Sequence, residues 1–360
     1  VAGRFYALST AGSLLGTFLP ALIAIPLVGT QRTLLGTAVV LAFSASLLLG
    51  RKIVVLAALL AALIALPPGV VKAERGLLYE EDSRYQFIQV VERPDGSRLL
   101  RLNEGVAVHS VWRSETVLTG GVWDAFLALP PLLGRPLRSV AILGNAAGTT
   151  PRALGVFYPD ARVDGVELDP AVSRVGRRFF GLEDIRNLTV HDADARPFLR
   201  RTKERYDLIV VDAYRQPYVP FYLATREFFR LARARLEPGG ILALNIAAVP
   251  GDEGLLDGIS GTLTYEFDRV AVWPALRFNK ILIGFDEPRP TRSPEIVADG
   301  PRELRPLREL MVRQMRPVTV RAGRPWTDDR APVEWVTDRM IVAYAARGGE
   351  LDEDRLPTAP

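Results

Sequence analysis

The chain has 360 residues, with 45 Lys and Arg against 41 Asp and Glu, for a formal charge of +4. It contains no cysteine, which excludes disulfides, thiolate metal sites and a cysteine nucleophile. Its two histidines, His109 and His191, are too few for a multi-histidine metal centre, and no metal is expected. The arginines are scattered among acids, with no Lys/Arg run interleaved with aromatics, so nucleic acid is not an expected partner.

From Phe5 to Val71 the only charged residues are Arg32, Arg51 and Lys52. They divide the region into Phe5–Val28, Thr33–Leu49 and Ile53–Val71. A membrane span needs about 20 apolar residues to cross roughly 30 Å of hydrocarbon, so three transmembrane helices are predicted and the lipid membrane is an expected partner. A signal peptide is the alternative, but it accounts for one apolar stretch rather than three. The chain begins with Val and enters an apolar segment almost at once, as the end of a longer membrane domain would.

Lys72 to Gly76 is a short polar linker, after which the pattern changes to alternation. Tyr85, Phe87, Gln89 and Val91 oppose Gln86, Ile88, Val90 and Glu92, and the turn Pro94-Asp95-Gly96-Ser97 leads into Leu99 to Leu102, predicting a β-hairpin. From Ser139 the rhythm is strand then helix. Strands are predicted at 140–143, 162–167, 188–191, 206–211 and 241–246, with helices at 151–157, 170–180 and 225–236, the last closed by Pro238-Gly239-Gly240. Such alternation predicts a parallel sheet covered on both faces. A helix near 254–265 and strands near 269–273 and 280–285 complete the domain. Glu287 to Pro301 reads as a Pro/Arg-rich loop, and Glu350 to Pro360 as a fraying end. The expected organisation is a transmembrane region over 1–71, a small β-rich unit over 72–136, an α/β donor-binding catalytic domain over 137–286 and a C-terminal extension over 287–360.

The chemistry gathers at the carboxyl ends of the strands, where open α/β sheets bind ligands. Gly144-Asn145-Ala146-Ala147-Gly148 follows the first strand, and its small residues let backbone approach a ligand or, equally, pack a helix on its strand. Glu167 ends the second strand about twenty residues on, where a carboxylate accepts from the hydroxyls of a ribose; a solvated strand-end acid is the competing reading. Asp169 is expected to cap the helix opened by Pro170. After the third strand, Asp194 with Ala195 suits an adenine amino group and a ring nitrogen, though a turn-forming Asp fits the same position. The fourth strand delivers Asp212, a candidate base for an attacking amine. Tyr214, Tyr218 and Phe221 could wall a slot for a methylene chain or simply pack in the core.

In order and spacing these features resemble the spermidine-synthase (polyamine aminopropyltransferase) family, on the class I methyltransferase-like Rossmann fold, from about Tyr79 to Phe285. Tyr85-Gln86 is similar to the family's donor-contacting Tyr-Gln. The resemblance implies a donor site at Gln86, Gly144, Asn145, Gly148, Glu167, Asp194 and Ala195, with Asp212 as the catalytic acid. Residues 3–32 and 212–229 resemble the bacterial branch in which a multi-span, transporter-like region is fused to such a domain. The segment Thr327 to Glu334 resembles one that recurs in that branch, either a turn packed on the sheet edge or a carboxylate supplied to the mouth of the site.

Three departures bear on the acceptor. Ala146-Ala147-Gly148 stands where the family has Gly-Asp-Gly, and Arg215 where a second acid of the amine clamp belongs. Val122-Trp123-Asp124 replaces Tyr-His/Gln-Glu and keeps only the carboxylate, which makes Asp124, with Tyr214, a substrate-binding candidate. The implied co-substrate is decarboxylated S-adenosylmethionine, or S-adenosylmethionine itself. The implied acceptor is a small amine or polyamine, and a homodimer is an allowed assembly. Three functions follow as expectations: aminopropyl transfer, methyl transfer, or nucleoside or polyamine sensing without turnover for a membrane transporter. The expected location is the cell membrane, multi-pass, with the catalytic domain in the cytoplasm where the donor is made, since the flanking charges give no positive-inside bias.

Overall fold

In the computed structural model the described residues are 2–49, 52–65, 72–103, 107–215, 217–287, 294–318, 323–350 and 355–358. They fall into two units, residues 1–94 with 99–108 and residues 95–98 with 109–360.

The first unit opens with apolar helices. Helix α1 (Ala2–Leu19) continues through a π-helical turn, Pro20–Ala24, to Val28; α2 spans Thr30–Leu49 and α3 spans Lys52–Ala65. No residue of α1 is buried, and Phe5, Leu8 and Leu15 each expose more than half of their surface. Among the described residues one helix, Ala2–Ala24, is long and apolar enough to cross a membrane. The expectation of three spans and a multi-pass chain is corrected accordingly. Helix α2 opens on Thr30-Gln31-Arg32-Thr33 and carries further Gly, Thr and Ser, which dilute its apolar run. Helix α3 has 14 residues, about 21 Å at 1.5 Å per residue against a core of roughly 30 Å. Residues 66–71, the remainder of the third predicted span, lie outside the described residues.

Strands β1 (Leu77–Asp82) and β2 (Phe87–Glu92) form an antiparallel pair in which Glu80 faces Gln89 and Asp82 faces Phe87. Between them the Ser83 hydroxyl accepts the N–H groups of Tyr85 and Gln86, each at 3.0 Å. Tyr85 and Gln86 therefore sit in a tight turn rather than in the strand that alternation suggested. Strand β3 (Arg98–Leu102) follows in the same sheet.

The second unit is built on strands β4 (Ser139–Leu143), β5 (Arg162–Glu167), β6 (Leu188–Asp192), β7 (Tyr206–Val211), β8 (Leu236–Ala247), β9 (Arg269–Trp273) and β10 (Asn279–Phe285). Their order across the sheet is β9-β10-β8-β7-β4-β5-β6, extended at the β9 edge by Arg316–Pro317. Strands β4 to β8 run parallel, with Leu143 beside both Val166 and Val211. The near-continuous apolar runs arise because both faces are covered. Val140 and Ile142 enter one core with Leu208 and Val210, while Ala141 and Leu143 enter the other with Ile209 and Val211.

The predicted parallel sheet is in fact mixed. Strand β10 pairs antiparallel with both β8 and β9. The short connection between β9 and β10 can close a hairpin but cannot carry the crossover that a parallel pair requires. Pro238-Gly239-Gly240 lies within β8 rather than closing a helix: the register jumps from Tyr206↔Leu236 to Leu208↔Ile241, a bulge with Gly239 at φ +72°.

The C-terminal region packs onto the sheet. Helix α4 (Val333–Ala346) buries Val333, Val336 and Met340 in the second core. Within the stretch read as a loop, Pro294–Ala298 is helical, while residues 288–293 lie outside the described residues. The expected fraying end is anchored at residues 355–358, where Leu356 is 2% exposed and donates its N–H to the Gly120 carbonyl at 2.8 Å. Residues 351–354 and 359–360 lie outside the described residues.

Candidate active site

The strand order reverses between β4 and β7, one neighbour leading to β5 and the other to β8, and open α/β sheets bind ligands beyond the carboxyl ends of the strands at such a switch point. The loops carrying Gly144, Glu167, Asp194 and Asp212 all leave from that edge. Backbone bonds align them: the N–H groups of Gly144 and Asn145 reach the Val166 carbonyl at 2.9 and 3.0 Å, and the Asp212 N–H reaches the Leu143 carbonyl at 2.8 Å.

Gly144 has φ +95°, and a Cβ there would lie 2.5 Å from the Asp212 carbonyl oxygen and 2.7 Å from the Ala213 Cα. Only glycine lets the first loop pass the fourth strand's exit so closely. Gly148, at φ +94°, caps the helix Thr149–Phe157. Asn145 is 3% exposed and presses its Oδ1 against Gly165, where an added Cβ would lie 2.5 Å away; that oxygen has no donor among the described residues.

Glu167 is 8% exposed, and each of its oxygens accepts one backbone N–H, from Ala146 at 2.9 Å and Asp169 at 3.0 Å. A carboxylate has about four lone-pair sites, so capacity remains for two more donors such as the hydroxyls of a ribose. Burial pushes the Glu167 carboxyl up to about 7, partly offset by the N–H groups of Asp169, Ala146 and Leu168. A carboxyl raised above its unfolded value holds its proton more tightly in the native state. Its contribution to stability is therefore fully present below about pH 4.5 and lost as pH rises through about 7. The ligand-free protein is expected to lose on the order of 3 kcal/mol across that interval from this group, and Glu167→Gln to show a shallower fall. Denaturant midpoints measured against pH check this, and identical slopes in the two proteins would refute it.

Asp169 caps its helix as expected, accepting the Ala171 N–H at 2.9 Å. Asp194 also serves as a cap: it accepts the Arg196 N–H at 3.0 Å at the start of the helix Ala195–Arg201, and the Tyr222 hydroxyl at 3.3 Å. The Ala195 N–H, first in that helix, has no intrahelical acceptor. Behind it the nearly buried Arg196 guanidinium forms a bidentate pair with Asp328, at 2.7 and 2.6 Å, and Thr225 donates to the same carboxylate at 2.8 Å. The segment around Thr327 to Glu334 is thus a turn that braces the helix Ala195–Arg201. Its sequence singles it out but carries no sign of this mechanism.

Asp212 is half-buried, and its Oδ1 accepts from the Asn245 Nδ2 at 2.9 Å; the Asn245 Oδ1 in turn accepts from the Asn279 Nδ2 at 3.0 Å. Burial pushes the Asp212 carboxyl up to about 7, with the Asn245 bond drawing it partly back. This relay was missed from the sequence, where its one signal is a polar residue interrupting the apolar run of β8. The Tyr214 hydroxyl is committed elsewhere, donating to the Asn245 carbonyl and accepting the Ala247 N–H, both at 2.8 Å. Its ring, not its hydroxyl, is left for a substrate. Tyr218 donates to Asp338 at 2.6 Å, while Phe221 stacks edge-on against Tyr222.

Two further candidates remain. Asp124 is 1% exposed and enclosed by four donors, the N–H and hydroxyl of Thr119, the Gly120 N–H and the Thr358 hydroxyl. These bonds tie Thr358 to the 119–124 turn and occupy the carboxylate that was expected to face a substrate. Gln86 is half-buried in the turn of the first unit, where its carbonyl accepts the Ser83 N–H at 2.9 Å.

Strand order and loop placement define a Rossmann-like methyltransferase fold carrying a mixed sheet. Residues 126–249 match the family described as spermine/spermidine synthase domain. The chain is 32% identical over 195 residues to a probable polyamine aminopropyl transferase of Bifidobacterium longum, covering 54% of this chain and 43% of that protein. It is 37% identical over 109 residues to a polyamine aminopropyltransferase of Vibrio vulnificus, covering 29% and 36%. It thus spans less than half the length of each of these two relatives. The crystal structure of a probable spermidine synthase from Corynebacterium glutamicum shares the fold, with a TM-score of 0.55 at 20% identity over 80% of this chain and 99% of that one. The family match and the two relatives support the spermidine synthase / polyamine aminopropyltransferase family for the segment they cover, and the structural likeness shows the fold.

Proposed function

We propose that the chain is a spermidine-synthase-like transferase that moves an aminopropyl group from decarboxylated S-adenosylmethionine to an amine. The observation that carries this reading is a carboxylate, Asp212, held by Asn245 beside a small-residue loop at the switch point of the sheet. Glu167 keeps acceptor capacity for the ribose hydroxyls, and Asp194 with the Ala195 N–H offers an acceptor and a donor for the adenine edge. The donor binds through these groups. The amine lone pair attacks the propyl carbon next to the sulfonium, the C–S bond breaks with its electrons passing to sulfur, and methylthioadenosine leaves. The proton shed by the new ammonium passes to Asp212. The carboxyl range into which burial moves Asp212 suits a group that must be ionised before attack and protonated after it.

Methyl transfer from S-adenosylmethionine is a second reading, favoured by one observation: the loop from Gly144 to Gly148 contains no acid that would repel a carboxylated donor. The helix Ala2–Ala24 would attach the enzyme to a membrane.

One experiment tests these points together. Cells expressing the full chain are separated into membrane and soluble fractions, and each is given decarboxylated S-adenosylmethionine with a panel of diamines and polyamines. Amine-dependent release of methylthioadenosine from the membrane fraction is expected. Its absence from both fractions, in protein that binds the nucleoside, would sink aminopropyl transfer, whereas activity confined to the soluble fraction would sink the attachment.

A further inference from the structure

Away from the strand ends, a cavity of about 450 Å³ is lined by Val297, Ala298, Gly300, Arg302, Arg305 and Arg308. These residues lie beyond the 126–249 segment that matches the family. Gly300 fixes the position: a Cβ there would lie 3.6 Å from the Tyr158 hydroxyl. Tyr158 caps the C-terminal end of the helix whose first cap is Gly148. The cavity is therefore at the opposite end of that helix from the donor loop.

Arg308 is 1% exposed. Its Nε donates to the Val297 carbonyl at 3.1 Å and its Nη1 to the Pro301 carbonyl at 2.8 Å. Among the described residues no carboxylate lies within ion-pair distance of it, and its Nη2 makes no hydrogen bond. A buried guanidinium without a counter-charge is costly. Asp299 and Glu309 act on it only at longer range, and burial draws it below the ordinary arginine range. At the rim, Arg302 is exposed and makes no ion pair among the described residues, and Arg305 is exposed and pairs with Glu309 at 3.0 Å. The ten-residue helix Arg305–Gln314 begins here, but its first N–H, from Arg305, already reaches the Arg302 carbonyl and its second residue, Pro306, has none, so the positive charge facing the cavity comes from the side chains.

We propose that this cavity is an anion site that takes a phosphoryl group, carried on a soluble phosphoester or on a lipid headgroup. A carboxylate would neutralise one guanidinium, whereas a phosphoryl group presents several oxygens to three of them. Val297 and Ala298 provide an apolar wall for whatever carries it.

The test is calorimetric titration of the full chain in detergent with pyrophosphate. Saturable binding is expected, weakened at least about tenfold in an Arg302→Glu, Arg305→Glu double variant. Those two side chains are exposed, so the double variant is expected to keep the wild-type affinity for methylthioadenosine, which reports on folding. Arg308→Met is expected to abolish pyrophosphate binding. Repeating the titration in phosphatidylcholine vesicles with and without phosphatidylglycerol separates the sources: competition by phosphatidylglycerol assigns the lipid headgroup, and its absence assigns a soluble phosphoester. No saturable binding, or equal affinity in wild type and double variant, overturns the proposal.

Discussion

Asp212→Asn is expected to lower methylthioadenosine release by about 10²- to 10⁴-fold, the range for loss of a positioned general base, while nucleoside affinity is expected to stay within about twofold of wild type. The substituted amide keeps an oxygen to accept the Asn245 Nδ2, so the loop is expected to hold its shape. On the proposed mechanism the wild-type rate is expected to rise with pH through about 7, because the base would act only when ionised and burial has raised its carboxyl to about that value. Asn245→Leu removes the donor that draws the carboxyl down, so the inflection moves to higher pH. Rate against pH for the three proteins, with nucleoside binding measured by calorimetry, decides the matter. Wild-type turnover in Asp212→Asn would remove this residue from the chemistry, and no turnover in any of the three would favour binding without catalysis.

The second large effect is expected at Gly144. An alanine Cβ would meet backbone atoms of Asp212 and Ala213 at 2.5 to 2.7 Å, and neither has a flexible end that could swing aside. The positive φ adds about 1–2 kcal/mol. With total stabilities of about 5–15 kcal/mol, Gly144→Ala is expected to lose several kcal/mol and most of its nucleoside affinity. Gly96→Ala is the comparison: its φ is +77° but nothing lies within 4 Å of the added carbon, so it should cost only the backbone term. Denaturant midpoints of the two variants check this, and equal losses would show that the close approach at Gly144 is unimportant.

Much of the fold could be read from the chain because strands covered on both faces must be apolar at nearly every position. Strands 162–167 and 206–211 coincide with their predicted bounds. The antiparallel pairing of β10 follows from the one break in the strand-and-helix rhythm: a helix, Gly254–Leu263, still separates β8 from β9, but only a short connection separates β9 from β10. Individual hydrogen bonds were less legible. Asn245 meets Asp212 across 33 positions and Thr358 meets Asp124 across 234, contacts that no local pattern encodes. A carboxylate at a strand end can be foreseen as such. Whether a carboxylate faces a cleft, as Asp212 can at its strand end, or is enclosed by donors, as Asp124 is in the short helix Val122–Ala125, depends on which distant segment reaches it.

The pair between Arg196 and Asp328 bears on how the protein can be divided. A truncated chain ending at residue 286 would retain every candidate donor-binding loop of the α/β domain. It would nevertheless leave the Arg196 guanidinium, largely shielded from water, without its counter-charge directly behind the helix that begins at Ala195. The C-terminal extension is thus not an appendage to be trimmed before crystallisation or transplanted at will. A version of this domain that keeps the pair must extend beyond Asp328.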